Sequence, residues 1–317
     1  MLLKLTKYFL FTTALTPLVL TKSTIFPFAL GKMVFFRSLV ELALILFLIY
    51  VIYNFYQHKS IGISINLRLF KNPLFIVLLV FLLSLILSTI FAVNPYRAFW
   101  GDVERAEGLF GFLHYFAFLG LTLLIFKRKD WLNFFKISLV VGAIIIFYGF
   151  LQYFGIDKFP FSLVSKARAE SYIGNPAFLG TYMLFVMMFA FIVYYQYKSV
   201  VISINQRLRS FWKYFSLALI PLAVITIFLT GTRGAILGLG VGIIFLLLYF
   251  VFSKKSQLSV YGISAKRISI IFLILFIIFG VTLASTRKAE IWQSIPGLNR
   301  LVQSNILALG IQQPRPV

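Results

Sequence analysis

The sequence predicts an all-α, polytopic integral membrane protein of about nine spans, on three observations. First, 61% of the 317 residues are apolar and only 12% are charged, against roughly 45–50% and 25% in soluble domains. Second, the apolar residues fall in long runs. A bilayer needs about 20 mostly apolar residues per helix, and nine such helices would use about 180 residues, nearly all of the apolar content. Third, the thirty Lys and Arg stand against eight Asp and Glu, a net charge of +22, yet the basic residues sit in short clusters between the runs. A nucleic-acid-binding protein would carry a basic face on a soluble body, so no nucleic acid partner is expected. There is no cysteine, which excludes disulfides, thiolate metal sites and thiol nucleophiles.

The expected spans, in order, are Tyr8–Leu20, Phe35–Tyr53, Leu74–Val93, Gly111–Phe126, Ile137–Phe154, Phe178–Tyr195, Phe215–Leu229, Ile236–Phe252 and Ile268–Leu283. The opening MLLKLTKYFLFTTALTPLVL has the positive start of a signal peptide but no small-residue cleavage site, and reads as a retained first span. A transmembrane helical domain is therefore expected over 1–283, with 284–317 starting a large loop on the outer side.

Orientation follows from the Lys/Arg asymmetry between loops. With a cytoplasmic amino terminus, the inside segments 1–7, 54–73, 127–136, 196–214 and 253–267 hold seventeen basic residues and one acid, Asp130. Contact with lipid phosphates and the setting of topology account for these charges. They do not account for the arginines left on the other side.

Those outer loops are compact and specific. Loop 94–110, NPYRAFWGDVERAEGLF, gathers Arg97, Asp102, Glu104, Arg105 and Glu107 beside Trp100. It reads either as an interfacial anchor with local ion pairs or as an arginine aimed at an anionic head group. In loop 155–177, Asn175 followed by Pro176 is a helix-start signature, since Asn caps and Pro suits the first helical position. Capping leaves Lys166 and Arg168 unexplained, and cations near a helix amino terminus suit a phosphate. Leu229-Thr230-Gly231-Thr232-Arg233-Gly234-Ala235 is a tight connection with one arginine at the membrane rim, a placement that costs about 2.5–3.5 kcal/mol on insertion scales and is usually functional or paired. The four-residue spacing of Gly234, Gly238 and Gly242 predicts close helix packing. Arg37 and Glu41 share a helix face and are expected to pair. His114, near the outer end of its span, reads more readily as a satisfied helix residue than as a base.

No metal-ligand set, GxSxG or Walker loop occurs in the chain. What the residues leave is a set of outward arginines, the side chain suited to bidentate phosphate or pyrophosphate contacts.

FYGFLQYFGID (147–157), SYIGNPAFLGTYM (171–183) and FLTGTRGAILGLGVG (228–242) resemble, in that order, the O-antigen ligase and O-antigen polymerase-like membrane proteins. ERAEGLFGFLH (104–114) and TIFPFALGKMVFFRSLVEL (24–42) fit the same pattern. The resemblance implies a C-type glycosyltransferase-like fold, metal-independent and without a cofactor. The implied partners are an undecaprenyl-pyrophosphate-linked glycan donor, a lipid A-core or similar acceptor, and the bilayer. Transfer would occur at the outer face of the cytoplasmic membrane. It places the pyrophosphate on Arg233, Arg105 and Arg168, with Arg37, Lys166 and His114 as further candidates.

The family's base is a histidine of the large outer loop. This sequence enters that loop at IPGLNRL and stops, with no histidine beyond position 114. The chain therefore reads as a C-terminally incomplete member with an unknown catalytic base, expected to be inactive alone. A polysaccharide polymerase, a lipid-linked-sugar transporter and a non-catalytic membrane subunit are the competing readings. The absence of internal repeats and of midplane ionisable residues argues against transport.

Overall fold

The computed structural model describes residues 1–21, 23–59, 71–102, 107–156, 168–198, 206–253, 259–260, 263–286, 289–294 and 297–299. They are helical apart from loops and one two-residue ladder. Helix α1 is Leu2–Thr12, continued by a 3₁₀ turn at Thr13–Leu18. It is followed by α2 Leu30–His58, α3 Pro73–Ile90, α4 Pro95–Trp100, α5 Leu109–Ile125 and α6 Arg128–Tyr153. After a 3₁₀ turn at Ser171–Ile173 come α7 Pro176–Lys198, α8 Gln206–Thr230 and α9 Arg233–Phe252. Strands β1 Ser259–Val260 and β2 Ile263–Ser264 pair antiparallel, and α10 Ala265–Ser285 and α11 Glu290–Ser294 complete the described chain.

Seven of these helices, α2, α3, α6, α7, α8, α9 and α10, are long and apolar enough to cross a membrane. The other two expected spans are shorter. Helix α5 has 17 residues and rises about 25 Å. The α1 helix and its 3₁₀ turn together rise about 28 Å, close to the thickness of a hydrocarbon core. Helix α3 buries none of its residues, as suits a surface in contact with lipid.

Three helices start with Asn-Pro. The Asn72 side chain accepts the Leu74 amide at 3.0 Å, Asn94 accepts that of Arg97 at 3.0 Å, and Asn175 accepts that of Ala177 at 2.8 Å. In each case proline fills the first helical position, where a missing N–H costs nothing. The expectation for Asn175 and Pro176 holds, and it is the local rule for α3 and α4 as well.

The chain forms two compact units, Met1–Val141 and Gly142–Val317. In the first, Leu10, Ala43, Leu121, Ile125 and Phe126 make a core flanked by Phe47, Phe118, Trp131 and Phe134. Lys7 of α1 donates to Asp130 at 2.5 Å, and Asp130 also accepts the Lys127 amide at 2.8 Å. The one acid of the basic segments thus caps α6 and ties its start to α1.

In the second unit α7 supplies a buried stripe, Leu179, Met183, Val186, Ala190 and Val193, whose alternating spacing of four and three follows one helical face. A Cβ on Gly142 would lie 2.9 Å from Val186, and one on Gly180 would lie 2.8 Å from the Ala235 Cβ. Close approach is therefore made by these glycines. The spacing of Gly234, Gly238 and Gly242 predicted it there instead, but no described atom lies within 4 Å of a Cβ at Gly234 or Gly242, and Gly238 makes ordinary contact with Leu184.

Candidate functional site at the turn between α8 and α9

The turn is built from four residues. Gly231 adopts φ +58°, a left-handed conformation that glycine takes at no steric cost, and its amide donates to the Phe228 carbonyl at 2.9 Å. Thr230 is wholly buried, and its hydroxyl donates to the Ile227 carbonyl at 2.7 Å. Thr232 is extended, and Arg233 opens α9 with its side chain exposed.

A second loop lies on this turn. Arg168 Nε donates to the Thr230 carbonyl at 2.7 Å, and its Nη2 donates to the Thr232 hydroxyl at 3.1 Å. The amide of the buried Ala169 donates to the Leu229 carbonyl at 3.2 Å. Two of the last carbonyls of α8, which a helix cannot satisfy internally, are thereby taken up by residues about sixty positions away.

The loop is itself held by α6. Gln152 Oε1 accepts the amides of Glu170 and Ser171 at 2.9 and 2.8 Å, and the Ser171 hydroxyl donates to the Ile145 carbonyl at 2.7 Å. Tyr148 and Tyr172 pack alongside, with ring centroids 4.6 Å apart and planes tilted by 43°. Burial raises the Glu170 carboxyl above the ordinary glutamate value, partly opposed by the guanidinium of Arg168. From the other side, a Cβ on Gly180 would meet Thr230 and Thr232, and one on Gly297 would lie 2.8 Å from the Phe228 carbonyl oxygen. Gly297, whose φ is +82°, thus lies against the end of α8 at the same turn.

Arg168 and the turn that carries Arg233 therefore meet. Two other sequence candidates, Arg105 and Lys166, lie outside the described residues. Arg37 and His114 belong to the first unit. The Glu41 carboxylate reaches α5, with Oε1 2.9 Å from His114 Nε2, while His114 Nδ1 lies 2.7 Å from the Phe110 carbonyl oxygen. Arg37 sits over the Phe110 ring, 5.1 Å from its centroid. His114 is buried with both ring nitrogens engaged, a satisfied helix residue. Nearby, Arg97 Nε donates to Asp102 at 2.8 Å at the rim of an open cavity of about 340 Å³ that Glu107 also lines.

Thr230, Thr232, Gln152 and Ser171 received no role from sequence. The signal for Gln152 was present, a lone amide in the run FYGFLQYFGID, but its partners are backbone amides eighteen and nineteen residues on. Among the described residues no three His, Asp or Glu side chains gather as a metal ion would need. Compared with protein families, curated proteins and solved structures, the chain matches none.

Proposed function

We propose that the protein is an O-antigen ligase-like glycosyltransferase of about nine spans. It would act at the outer face of the cytoplasmic membrane, with its amino terminus in the cytoplasm. Its donor would be a glycan on undecaprenyl pyrophosphate, its acceptor lipid A-core or a similar hydroxyl, and Arg233, Arg105 and Arg168 the cations of the pyrophosphate site. The observation that carries this reading is the contact of Arg168 with Thr230 and Thr232, which joins two arginine-bearing loops 62–64 residues apart.

The chemistry follows from the leaving group. The acceptor oxygen bonds to the anomeric carbon as the bond from that carbon to the pyrophosphate oxygen breaks, and negative charge gathers on the departing diphosphate. Guanidinium groups set in place beforehand stabilise that charge without transferring a proton. The acceptor hydroxyl loses its proton as the new bond forms, and no residue described here is assigned that step.

The test is transfer from a defined undecaprenyl-pyrophosphate glycan to lipid A-core by the full-length protein in nanodiscs. Arg233→Ala abolishes product while membrane insertion is kept, and normal transfer by this variant would remove Arg233 from the site. One glycan per acceptor means a ligase, whereas a ladder of repeats means a polymerase. Movement of the donor between leaflets without product would mean a transporter.

A further inference from the structure

Resting on that reading of the donor but narrowing the part it gives to Arg168, we infer that Arg168 is a positioning residue: it acts on the anion through the turn that carries Arg233, by holding Thr230 and Thr232, and does not itself ligate the phosphates. Its Nε and Nη2 are directed at the Thr230 carbonyl and the Thr232 hydroxyl. The neighbouring Ala169 amide, on the Leu229 carbonyl, fixes the backbone from which the guanidinium reaches.

Thr232 explains why this matters. It stands at the residue before α9, where a threonine hydroxyl ordinarily accepts an amide of the first helical turn. Here it makes no such bond and accepts from Arg168 instead. Removing Arg168 releases the hydroxyl to fold back onto α9 and releases the Thr230 carbonyl. The direction in which α9 and its first residue, Arg233, leave the turn then loses two of its fixed points. Thr230 retains its bond to Ile227, so the end of α8 survives.

Glutamine separates positioning from ligation, because its Nε2 stands the same number of bonds from Cα as the arginine Nε. Arg168→Gln can therefore keep a donor on the Thr230 carbonyl while removing the charge. Inorganic pyrophosphate is titrated against the nanodisc-embedded protein. Arg168→Ala weakens binding at least tenfold, Arg168→Gln stays within about threefold of the parent, and Thr232→Val adds little to Arg168→Ala because the two share one interaction. Equal losses in Arg168→Gln and Arg168→Ala, or additive losses with Thr232→Val, would overturn the proposal.

A second measurement needs no anion. Arg168→Ala speeds amide exchange over Gly231–Ile236 and Arg168→Gln does not; unchanged exchange in Arg168→Ala would also overturn the proposal. If exchange responds as stated while the parent ignores pyrophosphate, the positioning of the turn stands and the donor reading falls.

Discussion

Arg233 and Arg168 differ in what surrounds them, and their substitutions should differ accordingly. Arg233 is exposed at the first position of α9, so its value to a phosphate is the planar fork of donors. Arg233→Lys, which keeps the charge and loses the fork, is expected to lose most of the transfer activity; full activity would mean that a point charge suffices. His114 is the opposite case. It is buried with both ring nitrogens engaged, and His114→Ala removes those two contacts and the packing of a buried ring, at a cost of about 1–3 kcal/mol. The expected result is a lower melting temperature in detergent with pyrophosphate binding unchanged; lost binding at an unchanged melting temperature would make it a site residue. Glu170 adds a pH dependence. Its carboxyl titrates above the ordinary glutamate value of 4.5 in the folded protein because of burial. The folded state therefore binds that proton more tightly, and its contribution to stability is complete below pH 4.5 and lost as the pH rises through the folded value. Denaturation across that range should flatten in Glu170→Gln, and an unchanged slope would count against the burial argument.

At the scale of elements, the helices were largely legible because hydrophobic run length is a local property, and Asn-Pro starts are local as well. The glycines were not. Four-residue spacing says which residues share a face of α9, but not whether another helix comes close to that face, and here α7 meets α9 through its own Gly180. Gly180→Ala forces a Cβ to 2.8 Å from that of Ala235 and should destabilise by about 1–3 kcal/mol. Gly234→Ala, with no described atom within 4 Å, should be neutral or stabilise by up to about 1 kcal/mol through helix propensity. Thermal unfolding of the two variants checks this, and the reverse order would restore Gly234 to an interface. The candidate site was half legible for the same reason. A rim arginine stands out by its cost, whereas Gln152 and Thr232 are ordinary residues whose partners are brought to them only by the fold.

For the whole molecule, the charge asymmetry between loops predicts sidedness, and the Lys7–Asp130 contact joins two of the basic segments. Because the chain has no cysteine, single cysteines report orientation without background. Lys4→Cys and Lys129→Cys, both exposed, should react with an impermeant thiol reagent from the cytoplasmic side, and Tyr96→Cys from the other. Reaction of the first two from opposite sides would overturn the arrangement of spans. The same contact sets a timetable for assembly. Lys7 leaves the ribosome 123 residues before Asp130, an interval of about 6–25 s at ordinary rates of synthesis. Through that interval the first helix can already pack on the second, as Leu10 does beside Ala43, but the lysine waits for its carboxylate, and the final order of the first unit is reached only when the sixth helix arrives.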